Sequence, residues 1–282
     1  MKKVGPPIIN IVIPLAGEGR SFIQAGYPLP KPLINVAGKP IIQKVIENIK
    51  PKFPYRFTLI CRKDHYERYS LGELFHNITG GNYNIIQVIN LPQGAACTAL
   101  TAIDLINNDN ELIIANADQI IDVSIDDFLQ FARERKADAA IMTFEASHPK
   151  WSFARLSKNG KVIETAEKKV ISNHATVGIY YYRTGKIFVN ASLAMIEKNI
   201  RFNNDFYICP AFNEIILGGG KVLSWEIDPK RMHSVGSADD LVKYLHFLDM
   251  SKAKNKKSLN GELKEQPQSR KKKTAARQIL HQ

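Results

Sequence analysis

The chain has 282 residues, 44% of them hydrophobic and 23% charged, enough for one α/β core of roughly 200–250 residues or two modest ones. No run approaches the ~20 apolar residues needed to span a bilayer. The formal charge of +12 points at first to nucleic acid, but residues 251–282 hold ten basic and two acidic groups while the other 250 residues hold 29 and 25. The body of the protein is therefore nearly neutral, and its basicity belongs to a polar tail read as disordered. Within that tail SRKKKTAAR reads as a solvated charge run or as a contact for RNA, DNA or an anionic surface. The N-terminal MKKVGPP enters a strand-like run without a small-residue cleavage site, so the expected location is cytoplasmic. Cys61, Cys97 and Cys209 are odd in number and far apart, the pattern of reduced, buried thiols.

In chain order, residues 8–13 (IINIVI) form an apolar strand that runs directly into PLAGEGRSFIQAGYPLPK. Lys39-Pro40 opens the helical IIQKVIENI with proline in the first turn. Strands follow at 56–61, 84–89 and 112–115, then a capped helix start at Ser124-Ile125-Asp126-Asp127 leads into FLQFARERK. After a strand at 139–144, residues 154–167 (ARLSKNGKVIETAE) read as a hairpin closed by a tight primed turn at Asn159-Gly160, a candidate lid or half-site. A strand at 177–182, a helix at 210–217, a strand at 221–227 and a helix at 238–249 complete the body. The alternation predicts a mostly parallel sheet in an α/β domain over 1–250, with ligands gathered outside the carboxyl ends of the strands. There is no internal repeat, and no six-residue β-helix period after residue 250.

The loop after the first strand is a candidate phosphate site. Gly17 and Gly19 allow backbone amides to approach an anion closely, and Arg20 or Lys31 can neutralise the charge that grows on a departing diphosphate. The spacing fits neither the dinucleotide fingerprint nor a P-loop. Further on, LIIANADQIID is an apolar strand ending in a carboxylate, Asp118.

The glycine loop continues into PLPKPLINVAGKPII, and here the chain resembles the nucleotidyltransferases that join a nucleoside triphosphate to a sugar 1-phosphate or similar phosphorylated compound. The likeness runs from about residue 9 to about 241. Two later stretches, NDFYICPAFN and His233-Ser234-Val235-Gly236-Ser237-Ala238-Asp239-Asp240-Leu241, are most similar to capsule- and surface-glycan-type members. The resemblance implies a Rossmann-like, three-layer nucleotide-binding domain with an inserted hairpin. It implies that Leu15, Ala16, Gly17, Glu18 and Gly19 wrap the triphosphate, with Arg20 and Lys31 acting on it. Arg20 stands one residue earlier than the family's arginine. Gln93, Gly94 and Asn116 fall to the nucleotide, and Glu167, Lys168 and Gly178 to the acceptor. Asp118 is implied to hold Mg²⁺. The family's second metal carboxylate is replaced by Ser234, leaving Ser234 or Asp228 as the candidate partner. The implied substrates are a nucleoside triphosphate, by preference a pyrimidine one, and a phosphorylated sugar-like acceptor. A homo-oligomer is compatible with the sequence. Competing readings are a metal-dependent glycosyltransferase, a noncatalytic nucleotide-binding relative, and a protein whose tail is its primary binding element.

Overall fold

A computed structural model describes residues 8–264. It divides into two compact units, one ending at Leu241 and one beginning at Val242. The apolar run becomes β1 (Ile9–Pro14), followed by α1 (Arg20–Gln24), the short ribbon β2 (Asn35–Val36) and β3 (Lys39–Pro40), and α2 (Ile41–Ile49). Pro40 precedes the first turn of α2 because its pairing opposite Asn35 holds it extended. Five isoleucine and valine side chains form the buried stripe of α2. Next come β4 (Tyr55–Arg62), α3 (Lys63–Arg68), α4 (Leu71–Thr79), β5 (Tyr83–Val88), α5 (Gly94–Leu100) and α6 (Ile103–Ile106). The chain continues through β6 (Leu112–Ala115), β7 (Gln119–Ile121) and α7 (Ile125–Glu134). The Ser124 hydroxyl caps α7 by accepting from the Asp126 amide.

Beyond α7 lie β8 (Ala139–Glu145), the hairpin β9 (Phe153–Leu156) and β10 (Val162–Ala166), and β11 (His174–Tyr182). Then follow α8 (Gly185–Glu197), α9 (Ile208–Leu217), β12 (Val222–Ile227), β13 (Met232–Ser234) and α10 (Ala238–Lys264). The hairpin turn is not of the primed type. Gly160 is left-handed at φ +77° but Asn159 is not, and Ser157 closes a wider loop by accepting from Gly160. The hairpin is pinned to α9 as well: Asn213 accepts from the Thr165 amide at 2.8 Å and donates to the Thr165 carbonyl at 2.9 Å. At the other end of the chain, α10 runs past residue 251, where the disordered tail is expected to begin. No proline interrupts residues 238–264, and their lysines, leucines and alanines favour helix. SRKKKTAAR lies outside the described residues.

The sheet has nine strands. β5, β4, β1 and β6 run parallel, as do β8 and β12; β11 lies antiparallel between the two groups. Parallel strands covered by helices carry nearly continuous apolar runs, which is why β1 and β6 were legible from composition alone. In β11 the alternation selects Tyr180 and Tyr182, which pack on Phe212 with ring centroids 5.5 and 5.0 Å apart. The Tyr182 hydroxyl is fully buried and has no hydrogen-bond partner among the described residues. Replacing Tyr182 with Phe keeps the packing and removes that unpaired group. Thermal unfolding should therefore show a gain of about 1 kcal/mol, or a Tm rise of about 2–4 °C for a domain of this size.

Candidate active site

A cleft of about 660 Å³ opens where the loops leave β1 and β6. The parallel register of Val12 with Ile114 sets these two loops side by side. In the first loop Gly17 is open on its Cβ side, and at Gly19 an added Cβ would come 3.2 Å from Lys31 Cβ. The loop thus folds against Lys31, which Pro30 and Pro32 deliver on a short 3-10 turn. Lys31 Nζ donates to Asp118 Oδ2 at 2.7 Å, with the two side chains 21% and 19% exposed. Asp118 Oδ1 is buried and has no hydrogen-bond partner among the described residues. Leu15, Arg20 and Asn116 share the same cleft. Arg20 is 81% exposed and lies on Glu18, so its guanidinium is turned to a neighbour at the cleft mouth.

Antiparallel pairing of β13 with β7 sets Ser234 opposite Gln119, next to Asp118. Ser234 Oγ donates to Asp240 Oδ2 at 3.0 Å, and Lys150 Nζ donates to the two Asp240 oxygens at 2.8 and 3.1 Å. Burial pushes the Asp240 carboxyl up, but the Lys150 and Ser234 bonds outweigh it and hold the group below the usual carboxylate range. Lys150 also lies 4.5 Å over the Trp151 ring. Sequence reasoning passed over Lys150, Trp151 and Asp240. Lys150 and Trp151 had only position as a signal, on a loop leaving the carboxyl end of β8, while Asp240 stood within the family-like element at a helix start beside Ser234 without being assigned a role.

Glu167 and Lys168 reach the cleft from the end of β10. Burial raises the Glu167 carboxyl above its ordinary value, partly offset by the Ser152 hydroxyl donating to it and by the charge of Lys168. Lys168, itself at φ +49°, sits 4.9 Å from the Tyr207 ring and 5.5 Å from the Phe202 ring, and donates to the Tyr207 hydroxyl at 3.2 Å.

Other expected site residues do not line the cleft. Ala16 is buried, and Glu18 is held by Arg20. Gln93 Oε1 accepts from Arg201 at 2.8 Å. Gly94 is glycine for a packing reason: at φ +90° its Cβ would lie 2.4 Å from the Phe206 carbonyl oxygen. Gly178 likewise makes room for Asn116, whose amide nitrogen would lie 2.4 Å from an added Cβ. Asp228 turns to accept from the Lys230 amide at 2.8 Å, capping residues 229–231, which leaves Ser234 as the candidate beside Asp118.

With this geometry in hand, comparison with known proteins is decisive for the family: residues 12–208 match the nucleotidyl transferase family. The chain belongs to that family. It is 27% identical over 195 residues to the bifunctional protein GlmU of Methanococcus maripaludis strain S2, a match covering 67% of this chain and 44% of that protein. The chain thus spans less than half the length of that relative. Among solved structures, the nucleoside-diphosphate-sugar pyrophosphorylase of Vibrio cholerae RC9 superposes with a TM-score of 0.71 at 23% identity, covering 84% of this chain and 99% of that one. The inositol-1-phosphate CTP transferase of T. maritima gives 0.70 at 12% identity, covering 86% and 96%. These likenesses establish the expected Rossmann-like nucleotidyltransferase fold. The family match ends at residue 208, so Ser234 and Asp240 lie beyond it.

The environment of Glu167 makes a pH-dependent prediction for this nucleotidyltransferase fold. A carboxyl whose folded pKa is raised costs stability once it ionises, so the penalty is absent below its unfolded pKa and complete above the folded one. Glu167→Gln should therefore raise Tm at pH 7.5. The gain should shrink as pH falls and vanish below about pH 4, the ordinary range for glutamate.

Proposed function

We propose that the protein condenses a nucleoside triphosphate with a sugar 1-phosphate or related phosphorylated acceptor, giving an NDP-linked product and pyrophosphate. The observation that carries this is the Lys31–Asp118 pair with its orphan oxygen, set beside the glycine loop in a cleft that Glu167 and Lys168 also enter. A nucleotidyltransferase needs those elements together: amides for phosphates, cations for the leaving group, and a carboxylate for a metal. The metal site passes a chemical test. A buried carboxylate oxygen without a partner, beside a serine hydroxyl, is an all-oxygen donor set suited to Mg²⁺. Bound there through Asp118, Mg²⁺ supplies charge neutralisation on the triphosphate.

The remaining chemistry falls to side chains. An acceptor phosphate oxygen forms a bond to the α-phosphorus in line, the bridging oxygen to the β-phosphorus breaks away with its electron pair, and pyrophosphate leaves. No proton transfer from the protein is required. Leu15, Gly17 and Gly19 receive the phosphates, Lys31 leaves Asp118 for the α-phosphate, and Arg20 leaves Glu18 for the departing pyrophosphate. Lys168 holds the incoming phosphate while Glu167 accepts from an acceptor hydroxyl. Positioning and fixed charge supply most of the barrier reduction. Asn116 lies against the nucleotide, and a pyrimidine base is the expected one.

The test is direct. The protein is incubated with Mg²⁺, each nucleoside triphosphate in turn and a panel of sugar phosphates; pyrophosphate is followed and products are identified by mass. Pyrophosphate in equal amount to an NDP-linked product, strongest with a pyrimidine triphosphate, is expected. Binding of triphosphate without pyrophosphate across the panel would favour a noncatalytic relative, and turnover of an NDP-sugar without pyrophosphate a glycosyltransferase. Lys31→Met should lower kcat by roughly 10²–10³, the usual loss for a donor aimed at developing charge.

A further inference from the structure

We infer that Asp240 is this chain's second carboxylate for the divalent cation, standing in for the acid that Ser234 replaces, and that Lys150 is the ammonium the cation displaces from it. The inference rests on the reaction proposed for this cleft. Ser234 is not a bare loss of charge. Its hydroxyl donates to Asp240 Oδ2 at 3.0 Å while the Gly236 amide donates to Ser234 Oγ at 3.3 Å, so the serine orients a carboxylate that lines the same cleft. Ser234 also lies close to Asp118. A Cβ placed on Gly236 would lie 3.1 Å from Asp118 Oδ2 and 3.5 Å from Ser234 Oγ. Asp118 and Ser234 thus both border Gly236, and Ser234 in turn holds Asp240.

Charge completes the argument. Each acid is neutralised by a lysine, Lys31 on Asp118 and Lys150 on Asp240, and all four residues line the cleft. Mg²⁺ is commonly held by one or two carboxylates together with substrate phosphates and water, and a hydroxyl is a poor substitute for an acid. Arrival of a metal–triphosphate complex lets both carboxylates exchange an ammonium for the metal, while both ammonium groups turn to phosphate. No charge is left unpaired. The opposing view makes Lys150–Asp240 a purely structural tie between the loop after β8 and the start of α10.

Mn²⁺ can replace Mg²⁺ at oxygen sites, and its free concentration can be read by electron paramagnetic resonance on the full chain. With a non-hydrolysable α,β-methylene triphosphate present, Asp240→Asn should weaken Mn²⁺ binding roughly tenfold or more, the range seen when a metal site loses a supporting group. Asp118→Asn should also lose binding. Adding Ser234→Asp to Asp240→Asn should restore most of the affinity. Without nucleotide, Lys150→Met should bind Mn²⁺ several-fold more tightly than the unaltered chain, a gain that misfolding cannot produce. Unchanged binding in Asp240→Asn, or no gain in Lys150→Met, would overturn the assignment and leave a structural tie. An unaltered chain that holds no Mn²⁺ with the analogue would remove the reaction itself, and this assignment with it.

Discussion

Opposite charges set at adjacent strand tips govern this cleft. Lys31 and Asp118 are each about four-fifths buried, and a carboxylate or ammonium taken that far out of water costs several kcal/mol unless it is paired. The backbone fixes the pairing: β1 and β6 are parallel neighbours, so the loop after Pro14 and the turn after Ala115 rise on the same edge. The prolines around Lys31 then limit the directions its side chain can take. A ligand that brings both a divalent cation and phosphates can dissolve the pair without stranding either member. A ligand with only one of these leaves a buried charge behind, so on charge alone the pair favours a ligand that carries both.

The parts of this architecture that depend on local sequence were legible. The apolar runs of β1 and β6, the Ser124 cap and the glycine loop each carry their own signal within a few residues. The parts that failed are those set by contacts outside the motif itself, some near in the chain and some far. Asn159-Gly160 looks like a primed turn in isolation, but Ser157 offers the loop a different closure. Pro40 looks like a first-turn residue until the β2–β3 ribbon draws it into extended backbone. Gly94 matches a nucleotide motif, yet the close contact that demands glycine there comes from Phe206, more than a hundred positions away in the chain. Lys150 and Asp240 meet across 90 positions, so nothing local announces their pairing.

The same Phe206 contact joins the two sides of the cleft. The Ala96 amide donates to the Phe206 carbonyl at 3.0 Å, and the Phe206 amide donates to the Gln93 carbonyl at 3.0 Å, so the first turn of α5 is clasped to this segment by backbone alone. Arg201 reinforces the clasp, stacking 4.1 Å over the Phe206 ring while donating to Gln93. The next residue is Tyr207, whose hydroxyl and ring hold Lys168. The first turn of α5 is therefore tied through two peptide units to the segment that holds Lys168. Gln93 and Gly94 belong to this clasp and lie outside the cleft. That gives a physical reason for a glycine at the start of α5 that does not require it to touch a base.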